Sequence, residues 1–293
     1  GLKMLILNTF ISEETVVPEY TETSIKQTRK ENPEIPILFI CKQEQPWFKD
    51  LKVQWVSQDS LSKGTWLTKF NKVCKFNRHG TPNTTHPSPN NFWHRTAERI
   101  FYLREAINSY KLDNVFHFEN DVMVYDSFDK IVNKLPNNIV SAIPMSQTHS
   151  TFALTFIPTI DSIDFMCEYF LNLLHKGERH LQRKGYDHIS EMSLLNMAMR
   201  NGYAEQLPIL PSRDLSNSVD LIFDPGSYGQ FLGGTNNGHP RGFIDPTHFI
   251  GQYFARTEDR PERPFEDGHP YFQGSKIFNL HIHSKNLKDF YND

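Results

Sequence analysis

The first part of the chain alternates short apolar runs with amphipathic stretches. A helix is predicted over 20–31, ended by Asn32 and Pro33. Strand, helix and strand in this order, with continuous apolar runs, are typical of a parallel sheet that is buried on both faces. The apolar runs that have the length of strands are 3–9, 35–41 and 53–57.

The same alternation continues through the middle of the chain. A long amphipathic helix is predicted over 92–110, since its apolar residues recur at helical spacing, and it leads into an apolar strand over 115–122. Further predicted elements are strands over 139–143 and 152–157, helices over 161–175 and 190–201, and a late strand over 276–285. Together they predict an α/β fold with a central, mostly parallel sheet flanked by helices.

The last third of the chain has a different composition. Residues 214–267 are rich in Gly, Asn and Pro and have little helical or strand period, but they contain many aromatic residues. We expect a loop-rich part of a substrate cleft there. Without a linker or an internal repeat, residues 1–293 are predicted to form a single domain.

Charge and composition exclude several classes of protein. Hydrophobic residues make up 38% of the chain and charged residues 22%, with a net charge of -3, so we expect a globular protein without a nucleic-acid partner. The three cysteines are widely spaced, which indicates reduced core residues. No apolar run reaches the length of a transmembrane segment, and no signal-peptide pattern is present. A cytoplasmic location is therefore expected, although an anchor on a longer chain would not be visible here.

Two acids at the end of the 115–122 strand suggest a site for a divalent cation. Glu119 and Asp121 are spaced i, i+2, so both side chains would lie on one face of an extended chain. Two carboxylates about 4 Å apart repel each other by about 1 kcal/mol in water and about 4 kcal/mol near a protein surface, and a cation would relieve that repulsion. The simpler interpretation is an ordinary exit from a strand into a turn.

A second group of candidate ligands lies near the end of the printed sequence. His281 and His283 alternate along the late strand and are followed by Lys285. Either imidazole could complete a site with the carboxylates, and such a mixed set suits Mn²⁺ or Mg²⁺ better than a structural Zn²⁺. An alternative is a pair of ordinary strand histidines, one in the core and one exposed.

These motifs resemble those of the GT-A glycosyltransferases. The run Phe116–Asp121 is similar to the DXD region of that superfamily, in an E-N-D form, and Leu280–Lys285 resembles its C-terminal histidine motif. The segment Ser190–Asn196 is similar in placement to an acidic, acceptor-facing segment of the glycogenin-like group. The resemblance implies a Rossmann-like GT-A fold, with a nucleotide-sugar-binding half over 1–126 and an acceptor-binding half over 127–293.

The resemblance also implies roles for individual residues. Asp121 and Glu119 would bind the metal ion, with Asp121 as the stronger ligand and His283 preferred to His281. Lys285 would contact the diphosphate. The donor is expected to be a UDP-sugar in preference to a GDP-sugar.

Other roles follow from charge and position. Arg95 is a second candidate for neutralising the diphosphate, or a solvated charge on its helix. Glu191 is the first choice for a base that activates the acceptor, and Asp224 is the second. Each has a simpler interpretation: Glu191 as an acid that complements its helix dipole, and Asp224 as a turn residue.

The end of the first strand is the predicted place for the nucleotide. Ligands of open α/β sheets bind outside the carboxyl ends of the strands, which favours Asn8 and Thr9 at the end of the 3–9 strand. Asn120, between the two acids, is a further candidate for contacting the donor.

The sequence therefore favours a metal-dependent glycosyltransferase that uses a nucleotide-sugar donor and a glycan, lipid or protein acceptor with a free hydroxyl group. A metal-dependent phosphohydrolase or nucleotidyltransferase is an alternative, but it would require a denser cluster of acids for two ions. A non-catalytic carbohydrate-binding protein is a third possibility, in view of the aromatic and Asn/Gly-rich segment. The sugar, the stereochemistry of transfer and the oligomeric state are left open.

Overall fold

The protein is built on a central β-sheet. The computed structural model describes residues 3–75, 92–186, 189–212, 220–235 and 239–292. The strands in the described ranges are β1 (Leu5–Thr9), β2 (Ile37–Cys41), β3 (Val53–Ser57), β4 (Val115–Phe118), β5 (Val122–Val124), β6 (Ser141–Pro144), β7 (Ser150–Ile157), β8 (Glu205–Gln206), β9 (Leu221–Ile222), β10 (Tyr271–Phe272), β11 (Ser275–Ile277) and β12 (Asn279–His281). The α-helices are α1 (Tyr20–Glu31), α2 (Gln58–Leu61), α3 (Thr65–Val73), α4 (Phe92–Tyr110), α5 (Ile160–Lys176), α6 (Glu178–Arg183), α7 (Glu191–Arg200), α8 (Ser227–Gly233) and α9 (Phe249–Arg256).

The central sheet contains seven strands in the spatial order β3-β2-β1-β4-β7-β6-β8. The first four strands in this order run parallel to one another. β7 is antiparallel to both of its neighbours, and β8 is parallel to β6, so β7 alone of the seven runs in the opposite direction. The predicted α/β fold with a central, mostly parallel sheet is confirmed.

Both faces of this sheet are covered. Ile6 and Leu7, consecutive residues of β1, belong to two different hydrophobic clusters, because successive side chains of a strand point to opposite faces. Helices α3, α4, α5 and α7 pack on the Leu7 face, and α1 packs on the Ile6 face through Ile25. Burying one such side chain stabilises the fold by about 1.5–3 kcal/mol, which explains why β2 is apolar and buried along its whole length.

The two helices that flank β1 and β4 have the bounds predicted from the sequence. α1 ends at Glu31, where Asn32 closes the helix: its backbone N–H and its side-chain amide both donate to the Thr28 carbonyl oxygen. α4 spans 92–110, and its residues 97–107 are all buried. None of the described helices combines the length and the apolar character that crossing a bilayer requires.

The strand predicted over 115–122 is shorter in the structure. β4 ends at Phe118, whose backbone N–H donates to the side chain of Asn8 at 2.9 Å. After a turn, β5 leaves the central sheet and pairs with β12 in a separate antiparallel ribbon, with His281 opposite Val122. The prediction of one continuous strand was therefore wrong, because the chain changes its pairing partner within it.

Two expectations for the end of the chain were also wrong. The late strand over 276–285 is divided: β11 joins β9 and β10 in a three-stranded sheet, whereas β12 pairs with β5. The 214–267 region, expected to lack regular structure, contains β9, α8 and α9. These elements have two to eight residues, too few for a hydrophobic period to be recognised in the sequence.

Candidate active site

A cavity of about 410 Å³ opens where β1 and β4 end. Thr9, the last residue of β1, and Glu119, which directly follows β4, line it. Arg95 and Arg99 of α4 contribute to one wall, and the segment that follows β12 contributes to another. This is the carboxyl edge of the parallel strands, the place where ligands bind in open α/β sheets.

The two acids predicted to bind metal lie on a turn between β4 and β5. The backbone N–H of Val122 donates to the carbonyl oxygen of Glu119 at 3.1 Å, so the chain folds back within a few residues. The expectation that Glu119 and Asp121 share one face of an extended strand was therefore wrong. Both side chains nevertheless line the same cavity.

Asp121 is paired with residues that follow 160 or more positions later. His281 Nε2 lies 3.0 Å from Asp121 Oδ1, and Lys285 donates from Nζ to Asp121 Oδ2. The β5–β12 ribbon creates this contact, because it places His281 beside Val122. Burial would raise the pKa of Asp121, but the charges of His281 and Lys285 hold that pKa well below its usual range. Asp121 is therefore ionised at neutral pH.

The two histidines have opposite electrostatic behaviour. Their rings stack with centroids 4.1 Å apart. Burial would lower the pKa of His281, but the carboxylate of Asp121 raises it to about 9. Burial and the neighbouring charge of His281 lower the pKa of His283 to about 3. His283 was preferred from the sequence as the metal ligand, but His281 is the histidine in direct contact with Asp121, and the choice between them stays a prediction.

Lys285 reaches Asp121 from a tight turn. Its backbone lies in the left-handed region, with φ 67°, which is uncommon for a residue other than glycine. Its N–H donates to the Ile282 carbonyl oxygen at 3.1 Å, closing the turn. The ammonium group also lies 5.5 Å from the centroid of the Tyr20 ring. Because the Lys285 side chain is 45% exposed, its charge is accessible from the cavity.

Arg99 is a cation of the site that the sequence analysis missed. It lies 2.8 Å from Glu119 (Nη1 to Oε2) and 3.8 Å from Glu191 (Nη2 to Oε1). Burial would raise the pKa of Glu119, but the guanidinium of Arg99 lowers it. The predicted cation, Arg95, also lines the cavity and pairs with Glu98 at 2.7 Å. The signal was present in the sequence, since Arg99 follows Arg95 by four residues and so lies on the same helix face.

Glu191 is the first residue of α7 and lines the cavity. Ser190 caps the helix, and its hydroxyl accepts the backbone N–H of Met192 at 3.2 Å. The hydroxyl of Thr96 donates to Glu191 Oε2 at 2.9 Å. Burial raises the pKa of Glu191, so this carboxylate binds a proton more readily than an exposed one.

Asp224, the second candidate base, is fully buried and is not among the described residues that line the cavity. Its Oδ1 accepts the backbone N–H groups of Gly226 and Tyr228 at 2.8 and 2.9 Å. Its Oδ2 accepts those of Gly229 and His281, each at 2.9 Å. The carboxylate thus ties the beginning of α8 to β12, and this geometry favours a positioning role over contact with a substrate.

The residues predicted to contact the donor differ in position. Asn8 is fully buried, holds β4 through Phe118, and is not among the described lining residues. Thr9 and Asn120 do line the cavity, and Asn120 Nδ2 donates to the Thr9 carbonyl oxygen at 2.9 Å. The remaining amide oxygen of Asn120 is buried without a hydrogen-bond partner in the described part of the chain, so it is available to a ligand.

The residues of the site have the chemistry for a divalent cation, but their side chains are paired with one another. Among the described residues, no group of three or more His, Cys, Asp or Glu side chains is positioned to hold a metal ion. Carboxylates with an imidazole suit Mn²⁺ or Mg²⁺, and the buried Nδ1 of His283 has no partner in the described ranges. A metal ion bound to Asp121 would compete with Lys285 for the same carboxylate.

No protein-family model and no curated relative matches this sequence. A search of solved structures finds mouse xyloside xylosyltransferase 1, with 9% identity over 71% of this chain and 86% of that chain, at a TM-score of 0.44. It also finds the PaToxG glycosyltransferase, with 11% identity over 68% and 69% of the two chains, at a TM-score of 0.43. A third match is the galactosyltransferase LgtC in complex with donor and acceptor sugar analogues, with 13% identity over 70% and 73%, at 0.43. Matches with these TM-scores and identities do not assign the chain to a family. The fold class follows from the strand order.

Proposed function

We propose that the protein is a glycosyltransferase, which moves a sugar from a nucleoside-diphosphate sugar to a hydroxyl group of an acceptor. One observation carries the proposal: Asp121 and Lys285, which are 164 residues apart, meet in the cavity at the carboxyl edge of the parallel strands. Arg99 and Glu191 line the same cavity. A pocket in which Arg and Lys side chains lie beside carboxylates, one of them with a raised pKa, suits transfer from an anionic leaving group.

The cations would neutralise the charge that develops on the leaving diphosphate. As the bond between the sugar and the diphosphate breaks, the electron pair stays on the diphosphate oxygen. Preorganised cations at that position lower the barrier, since they need no reorganisation during the reaction. Lys285 is the first candidate because its ammonium is accessible from the cavity. Arg95 and Arg99 are the candidates from α4.

A divalent cation, Mn²⁺ or Mg²⁺, is part of the proposal. Asp121 with His281 or His283 would hold it, and Glu119 would be a weaker ligand because Arg99 already pairs with it. When bound, the ion would supply Lewis-acid stabilisation to the diphosphate. The competing proposal is that the side-chain cations provide this stabilisation without a metal ion, since each acid already has a cationic partner.

Glu191 is the proposed base for the acceptor. It lines the cavity, and burial raises its pKa toward the range in which a carboxylate accepts a proton effectively. A base in this position is needed by an inverting enzyme. The anomeric configuration of the product, read by NMR, would test this: retention would remove the proposed role of Glu191.

The donor is proposed to be a UDP-sugar in preference to a GDP-sugar, with its nucleotide near Thr9 and Asn120. The unpartnered amide oxygen of Asn120 would accept a hydrogen bond from the ligand. Tyr20 lines the cavity beside Lys285 and adds an aromatic surface.

Nucleotide binding tests the proposal directly. The melting temperature would be measured with UDP, GDP, UDP-glucose and GDP-mannose, each with Mn²⁺ and with EDTA. A ligand at 100 times its Kd stabilises the folded state by about 2.7 kcal/mol. We expect stabilisation by uridine nucleotides that is larger with Mn²⁺ and lost in Asp121→Asn, with Asp50→Asn on the exposed surface as the matched control.

Each alternative has its own outcome in this experiment. Equal stabilisation in EDTA and in Mn²⁺ would reject the metal ion and leave the side-chain cations. Release of inorganic phosphate from the nucleotides, without a glycosylated product, would indicate the phosphohydrolase. Absence of nucleotide binding together with binding of saccharides would indicate a carbohydrate-binding protein.

A further inference from the structure

Two further cavities adjoin the proposed donor site through shared lining residues. The second cavity, of about 670 Å³, shares Met145 and Met192 with the first. The third, of about 380 Å³, shares Ser146 and Gln147 with the second. The second and third cavities are here called the acceptor groove. Residues of α7, of α9 and of the β6–β7 turn (145–149) line it. The groove therefore begins at the edge of the cavity that contains Glu191.

The turn that forms the floor of the groove is fixed from both sides. Phe249, the first residue of α9, donates its backbone N–H to the Met145 carbonyl oxygen at 3.0 Å. Asn196 of α7 donates from its side chain to the Ser146 carbonyl oxygen at 3.3 Å. Within the turn, the hydroxyl of Ser146 accepts the backbone N–H of His149 at 3.0 Å. The groove is thus largely preformed, as binding sites for small molecules usually are.

The lining of the groove combines apolar surface with many hydrogen-bonding side chains and few charged ones. Among its described lining residues Arg200, in the third cavity, is the only Lys, Arg, Asp or Glu side chain. Burial lowers the pKa of His248, so this histidine is neutral at pH 7. Besides Arg200, the lining side chains that can donate or accept hydrogen bonds are those of Ser146, Gln147, Thr148, His149, Ser150, Asn196, Gln206, Thr247, His248 and Gln252.

We propose that the acceptor groove binds a neutral oligosaccharide of at least two sugar units, and this proposal rests on the proposed function. Sugar hydroxyl groups pair with uncharged donors and acceptors, and methionine side chains offer an adaptable apolar surface to the C–H face of a ring. An anionic acceptor would call for Arg or Lys side chains along the groove, which its described lining provides at Arg200 alone. Two consecutive cavities provide length for more than one unit.

The reacting end of the acceptor would lie at Met145 and Met192. From there its terminal hydroxyl would face the cavity of Glu191 and lose its proton to that carboxylate. The acceptor oxygen bonds to the anomeric carbon, while the bond from that carbon to the diphosphate breaks and its electron pair leaves with the nucleoside diphosphate. The rest of the saccharide would extend past Gln147 toward Arg200.

Two variants narrow the groove at different distances from the donor site. Gln252→Trp places a large ring in the second cavity, and Met199→Trp places one in the third. Gln182→Trp on α6, an exposed position away from the groove, is the matched control. Binding of the full chain would be measured on an array of neutral and acidic glycans of one to six units, and UDP binding would be measured in parallel.

We expect the wild type and Gln182→Trp to bind neutral glycans of two or more units. Gln252→Trp should weaken this binding by about tenfold or more, and by a larger factor than it weakens UDP binding. Met199→Trp should act on longer glycans and spare disaccharides. Melting temperatures within a few degrees of wild type would establish that the variants are folded, and Gln252→Ala replaces Gln252→Trp if that variant is not.

Other outcomes overturn the inference. Binding restricted to acidic glycans, binding independent of length, no glycan binding, or wild-type binding in both groove variants would each reject the acceptor groove. A different result separates the two proposals: glycan binding that depends on the groove, without any binding of UDP or GDP, rejects the transferase and leaves a saccharide site.

Discussion

The cavity has two charged sides that are constructed differently. On one side, Asp121 meets His281 and Lys285, which come from a separate two-stranded ribbon and the turn after it. On the other side, Glu119 is paired with Arg99 of the long helix α4. Both acids belong to the same short turn, yet they have different kinds of partner.

The two sides differ in how easily a ligand could displace the cationic partner of the acid. The side chain of Arg99 is only 10% exposed and lies 2.8 Å from Glu119, so a ligand has little access to this pair, which forms part of the wall. Lys285 is 45% exposed and sits on a tight turn, so a phosphate or a metal ion can replace one of its contacts. The proposal therefore places ligand binding on the Asp121 side and a supporting role on the Arg99 side. Four predictions test this division.

The largest effect is expected on the Asp121 side. Asp121→Asn keeps the shape of the side chain but removes the charge that orients His281 and Lys285 and that would bind a metal ion. We expect kcat/KM for sugar transfer to fall by about 10³-fold, the loss typical of one preorganised electrostatic group. Steady-state assays with a UDP-sugar would measure this, and Asp50→Asn should behave as wild type. Activity within tenfold of wild type would show that Asp121 is not part of the reaction.

Substitution of Glu191 should change the pH dependence of the transfer rate. A base acts in its ionised form, so transfer should decline as the pH falls through the pKa of Glu191, which burial raises above the ordinary value for a glutamate. We expect Glu191→Gln to lower kcat by about 10²-fold and to abolish this acidic limb of the pH–rate profile. A variant that retained the limb would assign it to another group and remove Glu191 as the base.

Arg99 should matter for stability as well as for activity. Arg99→Met leaves the carboxylate of Glu119 without its closest cation, and loss of one partner of a buried ion pair costs about 3 kcal/mol. Urea denaturation would measure the change in the free energy of unfolding. The double variant with Glu119→Gln should recover part of the loss, because the unpaired charge at position 119 is then removed, although Glu191 still lacks its contact with Arg99. Equal destabilisation in the single and double variants would contradict the pairing.

The variant Asp224→Asn should distinguish a positioning role of Asp224 from a role as the base. In Asp224→Asn the amide NH₂ faces two backbone N–H donors, so a buried hydrogen-bonding arrangement is broken at a cost of about 2 kcal/mol in unfolding free energy. We expect a smaller loss of kcat than in Glu191→Gln and an unchanged acidic limb of the pH profile. If the acidic limb of the pH–rate profile disappeared while stability was unchanged, Asp224 would be the candidate base.

The parts of the fold predicted well are those with long periodic patterns. The bounds of α4 agree with the sequence prediction because this helix has a repeating apolar face of more than three turns, whereas those of α1 were predicted from the helix-stopping pair Asn32 and Pro33. The strands β1, β2 and β3 were located to within two residues from their aliphatic and aromatic residues. The short elements α8 and α9 were missed, since seven or eight residues carry too few repeats.

Only part of the candidate site was predicted, because the sequence shows residue types but not which distant residues pair. Residue types and their order indicated Glu119, Asp121 and Lys285, which all line one cavity in the structure. The sequence did not reveal that Glu119 would be paired by Arg99. Nor did it indicate that four backbone N–H groups would donate to the carboxylate of Asp224.

The sequence by itself determined the α/β class, the positions of the long helices and strands, and the residue types that could form an anion or metal site. These depend on local apolar periodicity and on side-chain chemistry, both of which can be read along the chain. Tertiary structure decided which charges pair. The chain leaves the central sheet after Phe118, and the resulting β5–β12 ribbon brings His281 and Lys285 to Asp121. Such pairings between distant parts of the chain depend on the packing of the whole fold, which no local pattern records.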